Sequence, residues 1–139
     1  MKEKEKVKLT DYKVYPYEIN DIFLDISIHE NHVKVVSEYI IKRKNKDKEP
    51  LIFIGIGIQI ESIEIDERPL KRGFYRIEKY NLIINTQELN SFKLKIISTI
   101  NPFINTSLEG LYESNNILTT QCEAEGFRRI VFHPDRPDV

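Results

Sequence analysis

LIFIGIGIQIESIEID, residues 51–66, alternates branched apolar residues with other side chains for most of its length. Ile52, Ile54, Ile56, Ile58 and Ile60 fall on one side of a period of two, which predicts a long strand with these isoleucines sharing a face. The same pattern extends in both directions. Upstream, DIFLDISIHE (21–30) sets Ile22, Leu24, Ile26 and Ile28 against Asp25, Ser27 and His29, and VKVVSEYIIKR (33–43) follows across a tight Glu-Asn-His connection, predicting a hairpin. Downstream, GFYRIE and NLIINT read as a second hairpin. FKLKIISTI reads as a strand stopped by Pro102, and SLEGLYESNNILTTQCE as a hairpin turning at Ser114, Asn115 and Asn116. No stretch of helical length carries an apolar stripe at i, i+3 and i+4, and β-branched isoleucine dominates the apolar set. The fold class that follows is all-β, a sandwich or strongly curved antiparallel sheets of roughly seven to nine strands.

Size and composition narrow the function classes. At 139 residues the chain fits one domain with its own core, and 40% hydrophobic with 31% charged residues is ordinary for a globular protein. A formal net charge of -1 with both signs interspersed leaves no footprint for nucleic acid or an anionic membrane surface. The single cysteine, Cys122, has no internal disulfide partner. With no apolar segment behind the charged opening MKEKEKVKLT, which reads as a solvated end, the expected compartment is the cytoplasm. No window approaches the ~18 apolar residues of a membrane helix.

Few residues offer chemistry. HENHV (29–33) is a poor match to H-E-x-x-H, because His29 and His32 are three apart; on a continuous strand they would face opposite sides. Gly55 and Gly57 in GIGIQI lack the third glycine and the helix of a dinucleotide loop, so a bulge or a close neighbour is the expectation there. Cys122 is flanked by Glu123 and reads as a packed, inert thiol, since neighbouring carboxylates disfavour the thiolate. The terminal run differs. Gln121 and Glu123 are two apart, so on extended chain they point the same way, with Glu125 next in register. An amide and a carboxylate converging on one spot suit a cation with several N–H donors, such as a primary ammonium. The plain alternative is an acidic turn closed by Gly126 and balanced by Arg128 and Arg129.

Residues 105–139, NTSLEGLYESNNILTTQCEAEGFRRIVFHPDRPDV, closely resemble the end of the N-terminal domain of bacterial aminopeptidase N, a family of zinc-dependent gluzincin aminopeptidases. Collinear, weaker similarity covers LTDYKVYPYEI, SIEIDERPL and YRIEKYNLIIN. The resemblance implies a saddle-shaped β domain over residues 1–139, packed on a catalytic domain that this chain does not contain. It further implies that Glu123 binds the substrate's free α-amino group and that Gln121 forms the adjoining wall. The implied partners are peptides with a free N-terminus and the protein's own catalytic domain. H-E-x-x-H and the Gly-Ala-Met-Glu-Asn strand of the family are missing, so no catalytic residue and no zinc site are expected here; zinc belongs to the full-length enzyme. His133 stands where relatives carry an aromatic. Without the catalytic domain, Phe127, Ile130 and Phe132 are expected to lose cover. The competing reading is a free-standing β-sandwich that binds a protein partner and does no chemistry. A reading frame that continues past Val139 into H-E-x-x-H separates the two.

Overall fold

The computed structural model describes residues 8–86 and 88–139, so most of the charged opening lies outside the described residues. Among the described residues ten strands form three antiparallel sheets: β1 (Tyr17–Ile28), β2 (Val33–Arg43), β3 (Leu51–Ile54), β4 (Gln59–Ile65), β5 (Arg68–Pro69), β6 (Tyr75–Glu78), β7 (Asn81–Ile84), β8 (Ser91–Ile100), β9 (Gly110–Ser114) and β10 (Ile117–Gln121). The five-stranded sheet runs β1-β2-β8-β4-β5, the three-stranded sheet β3-β7-β6, and β9 and β10 form a separate ribbon. The all-β reading holds, and the hairpins β1–β2, β6–β7 and β9–β10 lie where the alternation put them.

The stretch 51–66 behaves differently from expectation. It is two strands in two sheets, broken at residues 55–58, which raises the strand count to ten with the short β5. Gly57 sits at φ +69°, a left-handed conformation that stops extended pairing. In β3 the buried side chains are Leu51 and Phe53, while Ile52 faces out. The isoleucine period is real in sequence, but within β3 it is Leu51 and Phe53, on the other face, that enter the core.

β1 keeps its predicted face through a bulge. Its register with β2 shifts between Ile19 and Asp21, so Tyr17 and Ile19 before the shift share a side with Ile22, Leu24, Ile26 and Ile28 after it. Beyond the bulge the strand overhangs, and Ile22, Ile26 and Ile28 remain exposed.

One core joins the two larger sheets. Val33, Val35, Tyr39 and Ile41 of β2 and Leu94 and Ile96 of β8 meet Phe53 and Leu82 of the small sheet, all fully buried. Polar side chains at the end of this core find partners. Tyr17 donates to the Glu49 carbonyl at 2.5 Å, and Arg43, under Tyr17's ring, donates to the Leu89 carbonyl at 3.2 Å and to Thr86 Oγ1 at 2.9 Å.

The expectation of a poorly covered tail is overturned. Ile130 and Phe132 are 4% and 2% exposed, and Phe127 is half-buried. The segment enters the core because Tyr39 donates its hydroxyl to the Phe132 carbonyl and His133 bridges Ile54 on the outer edge of β3. Gly55 lies flat against the Phe132 ring, where a Cβ would come within 2.4 Å, so this glycine marks a close neighbour. His29 and His32 do not face opposite sides. The strand ends at Ile28, the chain reverses, and their rings stack at 4.6 Å.

Candidate functional site

The β9–β10 ribbon turns at Asn115 and Asn116, both with positive φ, as a two-residue hairpin loop of the right hand requires. Its far end pairs Gln121 with Gly110. There β10 stops. Residues 123–125 form a turn, and a 3-10 segment follows over Gly126–Arg129. Gly126 donates its N–H to the Cys122 carbonyl at 2.9 Å, closing the loop. The closure needs glycine: a Cβ on Gly126 would lie 2.2 Å from the Gln121 carbonyl oxygen and 3.0 Å from the Gly110 nitrogen. The turn is thereby seated backbone-on-backbone against the end of the ribbon, and Ile130, Val131 and Phe132 bury the chain that follows.

Charge pairing sorts the acids and bases of this run. Arg128 is clasped by Asp135 and also reaches Glu125 at 3.2 Å, with only 19% of its side chain exposed. His133 Nε2 lies 3.3 Å from the second Asp135 oxygen, and its ring packs edge-on to Phe127 at 5.1 Å. Arg129 pairs with Glu109 before β9, at 3.1 Å, rather than with the turn. Arg128 alone balances the turn.

Gln121 and Glu123 come together, though not by strand register. The strand ends at Gln121, and the Gln121 side-chain oxygen accepts the Glu123 backbone N–H at 3.2 Å. Glu125 leaves that register and turns toward Arg128. Glu123 is exposed, and among the described residues its carboxylate has no hydrogen-bond or ion-pair partner. The run thus presents one uncommitted carboxylate from a braced turn, with the Gln121 amide beside it. Cys122 points the other way and packs against the core. Sequence alone missed Glu109, Asp135 and the Gly110–Gly126 contact, all of which depend on long-range closure.

Among the described residues no three His, Cys, Asp or Glu side chains gather as a metal would require, and no helix is long and apolar enough to cross a membrane.

The profile of the peptidase M1 N-terminal domain matches residues 13–139. Aminopeptidase N of Caulobacter vibrioides is 39% identical over 133 residues, covering 96% of this chain and 15% of that protein. A crystal structure of Legionella pneumophila aminopeptidase A in complex with aspartic acid superposes with a TM-score of 0.84 at 29% identity, over 95% of this chain and 16% of that one. An M1 zinc metallopeptidase from Deinococcus radiodurans, bound to a Tyr-Ser-Ala substrate, shares the fold at a TM-score of 0.67 and 12% identity, over 88% of this chain and 30% of that one. The chain spans about 15% of the length of the curated relative. By the extent of the profile match and the shared fold, this chain belongs to the peptidase M1 N-terminal domain family.

Proposed function

We propose that this chain is the N-terminal domain of a longer zinc aminopeptidase that removes N-terminal residues from peptides in the cytoplasm. In this reading Glu123 receives the substrate's α-ammonium, and Gln121 forms the wall beside it. One observation carries the reading. Of the two acids in the 121–125 run, Glu125 is committed to Arg128, whereas Glu123 is exposed, without a partner among the described residues, and seated on a turn that Gly110 and Gly126 lock in place.

The physics suits an exopeptidase. The first residue of a peptide differs from all later ones by its charged amine. A carboxylate that meets this amine in a closed site makes a charge-assisted hydrogen bond, stronger than the same contact in water. A rigid mount also converts binding into orientation, holding the first peptide bond at a fixed distance from the anchor. Gln121 contributes by holding the Glu123 backbone and leaving its own amide N–H groups for the substrate.

The zinc of the metallopeptidase relative finds no fit among the described residues. A zinc site takes three or four converging N, O or S ligands, and the described residues bring no three together. In this reading the metal and the residues that act on the peptide bond lie in the rest of the longer protein, and this chain contributes recognition. The isolated chain is then expected to purify without stoichiometric zinc and to leave an amino-acid anilide intact, while the longer protein hydrolyses it. Turnover by the isolated chain, or one zinc per chain by metal analysis, refutes the assignment.

A further inference from the structure

A groove of about 700 Å³ opens between the two larger sheets, lined on one side by Gln59 and Ile60 and on the other by Tyr75 and Ile77, with Phe132 among its lining residues. Both walls are strand edges without a neighbour. β4 is covered by β8 on one side, but β5 pairs with it only at Glu64 and Ile65, so residues 59–62 keep a bare edge among the described residues. β6 ends its sheet and pairs with β7 alone. In a two-residue hairpin the residues flanking the loop exchange the hydrogen bonds, so Glu78 and Arg76 turn their amides to β7. Tyr75 and Ile77, both lining the groove, therefore turn their N–H and C=O groups away from β7, to the open edge of β6. An edge of this kind is a template for another strand.

The charge of the groove is one-sided. Arg72 and Lys79 line it, and among the described residues no Asp or Glu does. Arg76 is neutralised by Glu78 at 2.6 Å, and Lys34 by Glu61 at 3.8 Å, yet neither Arg72 nor Lys79 has a carboxylate partner among the described residues. Lys79 lies over the Tyr80 ring at 5.3 Å, which leaves its ammonium available to an anion. Exposed Ile77 and Tyr80 offer apolar contact between the cations.

We propose that this groove binds an extended acidic segment of a separate polypeptide, which adds a strand beside β6. Backbone pairing with Tyr75 and Ile77 supplies affinity, alternate side chains enter between Ile60 and Tyr75, and acidic residues meet Arg72 and Lys79. The site is independent of Glu123 and does not rest on the aminopeptidase reading.

The test is nuclear magnetic resonance titration of the 139-residue chain, whose core is closed by its own residues, with an acetylated and amidated hexapeptide alternating glutamate and valine. Six residues suffice, since the four of β6 span about 13 Å at ~3.3 Å each. Expected are amide shift changes confined to residues 58–62 and 75–80, and affinity at least tenfold above that of the lysine–valine counterpart. The double variant R72E/K79E, altered at two exposed residues, should invert the preference, and N-methylation of alternate peptide amides should abolish binding. Equal affinity for both peptides overturns the proposal, as do changes along β1, another sheet edge, or no change at about 2 mM peptide. Repeating the titration on the longer protein should reproduce the response. Its loss there would assign the groove to an internal segment and also overturn the proposal.

Discussion

Gly126→Ala should unseat the turn that carries Glu123. The new Cβ would stand 2.2 Å from the Gln121 carbonyl oxygen, 3.0 Å from the Gly110 nitrogen and 3.1 Å from the Gln121 carbonyl carbon. All three are backbone atoms, so no side-chain rotation relieves the clash. To restore ordinary contact the turn must retreat from the ribbon by about 1.2 Å. Overpacking of this kind costs about 1–3 kcal/mol, and the upper half applies because Gly110 and the Gln121–Gly110 pair resist the shift. For a chain of this size that corresponds to a melting point lower by about 6–12 °C. The functional effect is larger in proportion, since a displacement near 1 Å at a positioning group costs about a hundredfold in rate. Thermal unfolding followed by circular dichroism gives the first number, and kcat/KM of the longer protein on an amino-acid anilide gives the second. Gly73→Ala is the control. A Cβ there meets nothing within 4 Å, so that variant should match or slightly exceed the parent in stability. Wild-type stability and wild-type kinetics for Gly126→Ala would refute the claim that backbone contact seats the turn.

Asp135→Asn should destabilise the chain by about 3 kcal/mol in urea unfolding, the low end for breaking a buried ion pair because Arg128 and Asp135 keep some solvent contact; a loss below about 1 kcal/mol would show that Arg128 is held by Glu125 instead. Stability should also fall on acidification. The hydrogen bond from Lys93 holds Glu38 below its ordinary 4.5, so its contribution is complete above 4.5 and is lost as pH drops through the folded-state value. The same bond raises Lys93 above 10.5, so the pair's contribution also disappears as pH climbs through that higher value. Glu38→Gln should flatten the acid limb of a stability-against-pH profile, and an unchanged slope would remove this pair from the explanation.

How much of this was legible in the sequence depends on the range of the interaction that decides each element. Hairpins closed by a short turn were readable, because Asn115 and Asn116 accept positive φ and the alternation on either side fixes the partner strands. The face of β1 was readable too, although the bulge that preserves it was not. Ile52 to Ile60 misled because periodicity reports a local preference, whereas the chain breaks at residues 55–58, where Gly57 takes a left-handed φ and Gly55 meets the Phe132 ring, 77 positions away in the chain. The tail was misjudged for a related reason: the Tyr39 hydroxyl and the Ile54–His133 bridge that bury it are contacts between distant segments. At the site, Gln121 and Glu123 stood out by residue type, but the geometry that joins them was not readable. Gln121 and Glu123 are neighbours through a side-chain to backbone hydrogen bond across a turn, and Arg129 serves Glu109. The role given to Glu123 came from family resemblance, since a carboxylate between two turn residues has no distinctive pattern of its own.

The proposed anchoring of the substrate's amine by Glu123 is open to steady-state kinetics of Glu123→Gln in the longer protein. Removing the charge partner of a desolvated ammonium costs on the order of 2–5 kcal/mol. On a free-amine substrate kcat/KM should therefore fall by about 30-fold to several thousand-fold, with kcat falling as well if orientation is lost. A kcat/KM within about twofold of the parent would contradict it.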